Sequence, residues 1–226
     1  MSDDEESVVG SLPAPFKGDI LFGPGAESQT NACIAQWDAD WAYSDGFRRA
    51  ALYLAEKVCD SGSDQDKLIY PIVYLYRHNT ELVLKAIMKS ASRLLDRTIS
   101  EPESKTLGRH DLWELWQMVK PFLDPVCERA GNTPFPAADM EGVESYIKQI
   151  HEHDPDGQRF RYATTAARKG GRPVASKPSL SPDLRLVNVR ILAVAMEKLA
   201  DYLEGIEAWF GDLEDAKREW QHQHRD

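Results

Sequence analysis

The stretch from Tyr70 to Met88 constrains this chain more than any other, because it carries ionisable side chains on a helix whose remaining surface is apolar. At about 100° per residue, Arg77, His78, Glu81 and Lys85 fall within an arc of roughly 100°, with Tyr70, Tyr74 and Met88 beside them. Leu75, Leu82, Ala86, Ile72, Val83, Tyr76, Ile87, Val73 and Leu84 fill the rest of the wheel, interrupted only by Asn79 and Thr80. A helix apolar on so many sides is surrounded by other elements, and charges carried into such a position need partners. The stripe therefore reads either as an internal hydrogen-bonded network or as the lining of a groove.

Helical spacing recurs along the chain. One helix is expected from Gln36 to Asp60, where Trp37, Trp41 and Tyr43 lead into Phe47, Ala50, Ala51, Leu54 and Val58. After a break at Asp60–Asp64, the striped helix runs to about Arg97, with Pro71 tolerated in its first turn. A polar linker through Glu101, Pro102, Glu103 and Ser104 leads to a third helix, Asp111 to about Leu123, with Leu112, Leu115, Trp116 and Val119 on its inner face. A fourth spans Met140 to His151. The last runs from about Pro182 to Gly211 on Leu186, Val189, Leu192, Ala193, Met196, Leu199, Leu203 and Ile206. The fold expected is an all-α helical bundle of about five helices, the second and last the most buried. At 226 residues one core is the economical arrangement. Residues 1–30, acidic and rich in Pro and Gly, are expected as a flexible arm, 31–211 as the helical domain, and 212–226 as a charged tail that frays.

Charge is unevenly distributed. The net charge of -10 disfavours coating duplex DNA by bulk electrostatics. Between Arg159 and Arg185, however, lie Arg159, Arg161, Arg168, Lys169, Arg172, Lys177 and Arg185 against the single acid Asp183, and Gly170-Gly171 suggests a hairpin tip. This Arg-rich loop or short β-hairpin before the last helix is either a solvated offset to the acidic body or, with Phe160 and Tyr162, a surface for phosphates and unpaired bases. Trp113 and Trp116 read as core and rim packing. Cys33, Cys59 and Cys127 lack metal or disulfide spacing and are expected to be reduced and packed. His151-Glu152-His153-Asp154 offers a His-x-His pair to a divalent ion, which makes a metal hydrolase a third reading, but Asp154-Pro155-Asp156-Gly157 explains the same letters as a turn. No metal or cofactor is expected. The acidic start Met1-Ser2-Asp3-Asp4-Glu5-Glu6 and the lack of a run of about 18 apolar residues point to the cytoplasm and away from a membrane.

Within the stripe, Arg77, His78 and Glu81 form the catalytic candidate: a guanidinium for phosphate and an imidazole for the proton, with a carboxylate one turn on. In the competing arrangement Glu81 and Lys85 pair along the helix while Arg77 and His78 bond to facing elements. His110, before Asp111 at a helix start, caps that helix or packs on its neighbour.

The order of three motifs, Glu81-Leu82-Val83-Leu84-Lys85-Ala86, then His110-Asp111-Leu112, then Arg161-Tyr162, resembles that of the HEPN superfamily of bacterial toxin, antiphage and nucleic-acid-processing proteins. It covers roughly Gln36 to Phe210. The resemblance implies a helical bundle, RNA as partner, metal-independent ribonuclease activity, a homodimer, and an antitoxin or sensor protein as a further partner. Lys85, His110 and Arg161, which lie in those motifs, are candidate binding residues, and Arg168, Lys169 and Arg172 join them from the basic charge of the Arg-rich insertion, which has no counterpart in the family. Active members carry an Arg followed, after four to six residues, by a His near the start of a late helix. Here Arg190 is followed at those distances by Ala195, Met196 and Glu197, and the formal match, Arg218 to His224, lies in the tail. That departure supports the alternative of a catalytically silent module binding a nucleotide, nucleic acid or protein.

Overall fold

Helix α2 (Gln65–Leu94) runs through the middle of the molecule because its apolar residues cover most of its circumference. The computed structural model describes residues 14–15, 17, 21–23, 25–34, 39–169 and 172–224, with backbone alone at 28, 39, 166–169 and 172–175. Residues 1–36 and 37–226 are separate units. In the first, the described residues carry a 3₁₀ turn at Ser28–Thr30, and the Asn31 side chain closes a loop onto the backbone N–H and C=O of Gly25 at 2.7 and 3.0 Å.

The second unit is a helical bundle. It contains α1 (Ala39–Ser61), α2, α3 (Glu101–Leu107), α4 (Leu112–Val119), α5 (Leu123–Arg129), α6 (Ala137–His153) and α7 (Val189–Gln223), with a two-stranded hairpin before the last helix. Helices α1 and α7 pack on α2, and α4 packs on both α2 and α6. Tyr76, Leu84, Ile87, Leu115, Trp116, Leu199 and Phe210 are fully enclosed between them. One polar knot crosses the same contact. Arg48 of α1 donates to Glu197, at 3.0 Å from Nε, and to Asp201 and Glu204, all on α7. Asn79 of α2 donates to the Ser44 carbonyl (3.0 Å) and to Glu204 (3.1 Å), so three helices share one network.

The hairpin pairs β1 (Thr164–Lys169) with β2 (Arg172–Pro178) antiparallel, Thr164 opposite Pro178, with an irregularity between Thr165 and Ala167. Ser179 ties its root, donating from N to the Ala163 carbonyl at 3.0 Å and from Oγ to the Tyr162 carbonyl.

Several sequence expectations are corrected. Helix α2 begins five residues before Tyr70, which puts Pro71 in the second turn, where it forfeits a hydrogen bond to the carbonyl four residues back. The presumed linker is helix α3, started by Ser100, whose N and Oγ both reach Glu103 Oε2 at 2.7 and 2.8 Å. The third helix stops at Val119 and resumes, after a 3₁₀ turn, as α5. Helix α7 starts at Val189, capped by Asn188 Oδ1 on the Ile191 N–H (3.0 Å), so Leu186 lies outside the helix and is 93% exposed. Cys127 is buried, but Cys33 is exposed. Among the described residues no helix is long and apolar enough to cross a membrane.

The expected fraying tail is also helical, to Gln223. Glu214 meets Arg93 at 2.7 Å, and Lys217 donates to the Arg93 carbonyl at 2.6 Å, joining the Asp96 N–H (3.3 Å) on an acceptor at the end of α2. A chain ending at Gly211 is therefore expected to melt several degrees lower by circular dichroism; an unchanged midpoint would show that these turns contribute nothing.

Candidate functional site

Arg77, Glu81 and Lys85 lie one turn apart on α2, and the i,i+4 geometry brings them into line. Glu81 Oε2 accepts from Arg77 Nη1 at 3.1 Å, and Oε1 accepts from Lys85 Nζ at 2.7 Å. The remaining partners come from distant chain segments. Arg77 Nη2 donates to the His110 carbonyl in the loop before α4, while Nε donates to the Asp154 carbonyl at 3.3 Å and lies 3.3 Å from Asp154 Oδ2. Asp154, fully buried where α6 ends, accepts the Arg159 N–H on Oδ1 at 2.9 Å.

His110 is held twice: Arg77 grips its main chain, and Glu81 Oε1 meets its ring at Nδ1, 2.9 Å away. Its side chain is nevertheless 54% exposed, whereas that of Arg77 is 2% exposed. Next to it Asp111, rather than His110, caps α4, accepting from the N–H groups of Trp113 (2.9 Å) and Glu114 (3.0 Å). In a neutral imidazole whose Nδ1–H points at a carboxylate, Nε2 is the nitrogen left to take a proton.

His78 sits beside this network in an aromatic setting. Its ring meets Phe47 edge-on at 4.5 Å and stacks on Tyr74 at 5.8 Å between centroids. Burial pushes its pKa below the ordinary histidine value; the Glu81 carboxylate opposes this, and the charges of Lys85, Arg77 and His110 reinforce it. For Glu81, burial pushes the carboxyl up, but the hydrogen bonds and charges of Lys85 and His110 outweigh it and hold the group below the ordinary carboxylate range. Arg161 stands over the Tyr74 ring at 5.3 Å and near that of Tyr162 at 5.5 Å.

The structure thus gathers Arg77, Glu81, Lys85 and His110 into one network and brings His78 and Arg161 onto the same tyrosine. Arg77 faces inward with all its nitrogens engaged, so a phosphate cannot reach it as the sequence analysis supposed. Arg168, Lys169 and Arg172 fall in β1 and β2, and their side chains lie outside the described residues. Asp154 and Gly157 escaped the sequence analysis as parts of this network, since a turn motif carries no sign of which buried charge it will meet. His151 lies 3.2 Å from Asp111 and tilts against Trp113, His153 is exposed, and Asp154 is taken by Arg77. Among the described residues no group of three or more His, Cys, Asp or Glu is arranged to hold a metal ion.

Comparison with protein-family models, with curated proteins and with solved structures finds no match for this chain.

Two outcomes follow from this geometry. Gly157 has a φ of +70°, and a Cβ there would stand 2.6 Å from Arg77 Nη1. Gly157→Ala should cost more than the roughly 1–2 kcal/mol of a left-handed alanine alone, and Arg77→Ala, which leaves Glu81 and Asp154 buried without their cation, about 3–5 kcal/mol, both measured by urea denaturation. The second concerns pH. Both shifted groups bind protons more readily unfolded, His78 below its unfolded value of 6.5 and Glu81 below its own of 4.5, so stability conferred above those values is lost as pH falls. The melting temperature should drop in two stages on acidification, and His78→Gln should remove the upper one.

Proposed function

We propose that this chain is a HEPN-like protein that binds RNA and cleaves it without a metal, with His110 as the base. The observation supporting this reading is the half-exposed imidazole fixed at its ring by a buried carboxylate and at its backbone by a buried guanidinium. Such fixation holds one tautomer and spares the reaction the entropy of orienting the base. His110 Nε2 removes the proton from a ribose 2′-hydroxyl, and the 2′-oxygen attacks the adjacent phosphorus. The bond from phosphorus to the 5′-oxygen breaks, giving a cyclic phosphate, and the leaving oxygen takes a proton from water. Lys85 and Arg161 supply positive charge for the phosphate. The reading includes RNA as substrate, a cytoplasmic setting in bacterial defence or toxin action, and a homodimer.

The apolar end of α7 is not free to form that dimer. Trp209 and Phe210 are occupied within the bundle, Phe210 fully buried and Trp209 set against Phe135 at 6.0 Å. Exposed Ile191 and Val194 on α7 offer the apolar surface instead.

A second reading, the catalytically silent binding module, is favoured by the state of the formal Arg-His pair. Arg218 pairs with Asp215, and His224, just past the end of α7, bonds to the Trp220 carbonyl at 2.8 Å and stacks on its ring. Cleavage of labelled single-stranded RNA in excess EDTA distinguishes the two. His110→Ala is expected to slow cleavage about a hundredfold or more while the protein stays folded, its melting temperature lowered only by the loss of one hydrogen bond to Glu81. Undiminished cleavage in that variant would end the catalytic assignment, and binding without cleavage by the unaltered chain would favour the silent module.

A further inference from the structure

Two adjoining depressions, each of about 490 Å³, flank the step between Arg161 and Tyr162 and share Tyr70 and Phe160 as walls. One continues toward the hairpin root at Pro178 and Ser179, the other toward Tyr74. Phe160 is buried beneath them, whereas Tyr70 and Tyr162 are 45% and 53% exposed. Arg161 is steadied by two rings, leaving its guanidinium at the boundary of both depressions.

From this arrangement we infer that the depressions take an unpaired nucleobase, stacked on Tyr162 or Tyr70, with its phosphate on Arg161, so that the ligand is single-stranded. The inference rests on the RNA reading above and names the form of RNA. A paired base in a duplex has both faces stacked and offers nothing to an aromatic wall, whereas an unpaired base does. The charge balance points the same way. A chain of net charge -10 has no bulk attraction for a nucleic acid, so its affinity has to come from short-range stacking and local cations such as Arg161. The same chemistry is present in a free mononucleotide.

Fluorescence anisotropy tests this with the full chain and 2′-O-methyl oligonucleotides, which cannot be cleaved. The probes are a labelled single-stranded oligoadenylate, a blunt duplex of equal length, and AMP as competitor. Expected are single-strand binding at least about tenfold tighter than duplex binding, a loss of about tenfold in Tyr162→Ala, and retention in Tyr162→Phe. Arg161→Ala should weaken binding and flatten the salt dependence. Competition by AMP as strong as by the oligomer would uphold the base site while overturning RNA as its natural occupant. Equal binding of duplex and single strand, with no effect of Tyr162→Ala, would overturn the base site and leave the RNA reading standing. Binding of no probe would overturn both.

Discussion

The arrangement of this protein depends on the enclosed guanidinium of Arg77. Taking a charge out of water costs several kcal/mol, and that cost is offset only if oxygen atoms surround the ion with good geometry. Glu81 supplies a single contact from its own helix. The other oxygens come from the His110 carbonyl and from Asp154, so the loop before α4 and the turn after α6 have to converge on α2 for the helix to be buried at all. Gly157 lets that turn pass close enough, since any side chain there would occupy the space of the guanidinium.

That convergence also builds the outer face. Asp154 fixes the Arg159 N–H, and within a few residues the chain has delivered Phe160, Arg161 and Tyr162 to the side of Tyr74. Glu81, neutralised on the inside by Arg77 and at the rim by Lys85, retains hydrogen-bonding capacity for the His110 ring. The buried charges therefore act as positioning groups, and the groups able to meet a ligand are the ones they hold: His110, Lys85 and Arg161. The acidity of the chain does not prevent this, because part of it is consumed internally, as around Arg48, where Glu197, Asp201 and Glu204 gather on one cation.

Much of the bundle was legible because helical periodicity is a local signal. Leu112, Leu115, Trp116 and Val119 mark one inner face, and the hairpin announced itself by its glycine pair amid an Arg-rich run. What was misjudged also has local causes. Ser100 and Glu103 form a capping box that a polar composition disguised, and the docking of Lys217 on the end of α2 cannot be seen in a charged tail read by itself.

The sequence by itself determined that α2 would be buried with a stripe of charges and that Glu81 and Lys85 would stand one turn apart on one face, because those relations follow from helix geometry alone. Only the tertiary structure decided which of the two readings of the stripe applied to which residue. Arg77 became interior and His110 a presented imidazole because Asp154 and the His110 carbonyl, 77 and 33 residues from Arg77, arrive on the same spot. Contacts at such separations are set by how whole helices pack, and no spacing along the chain encodes them.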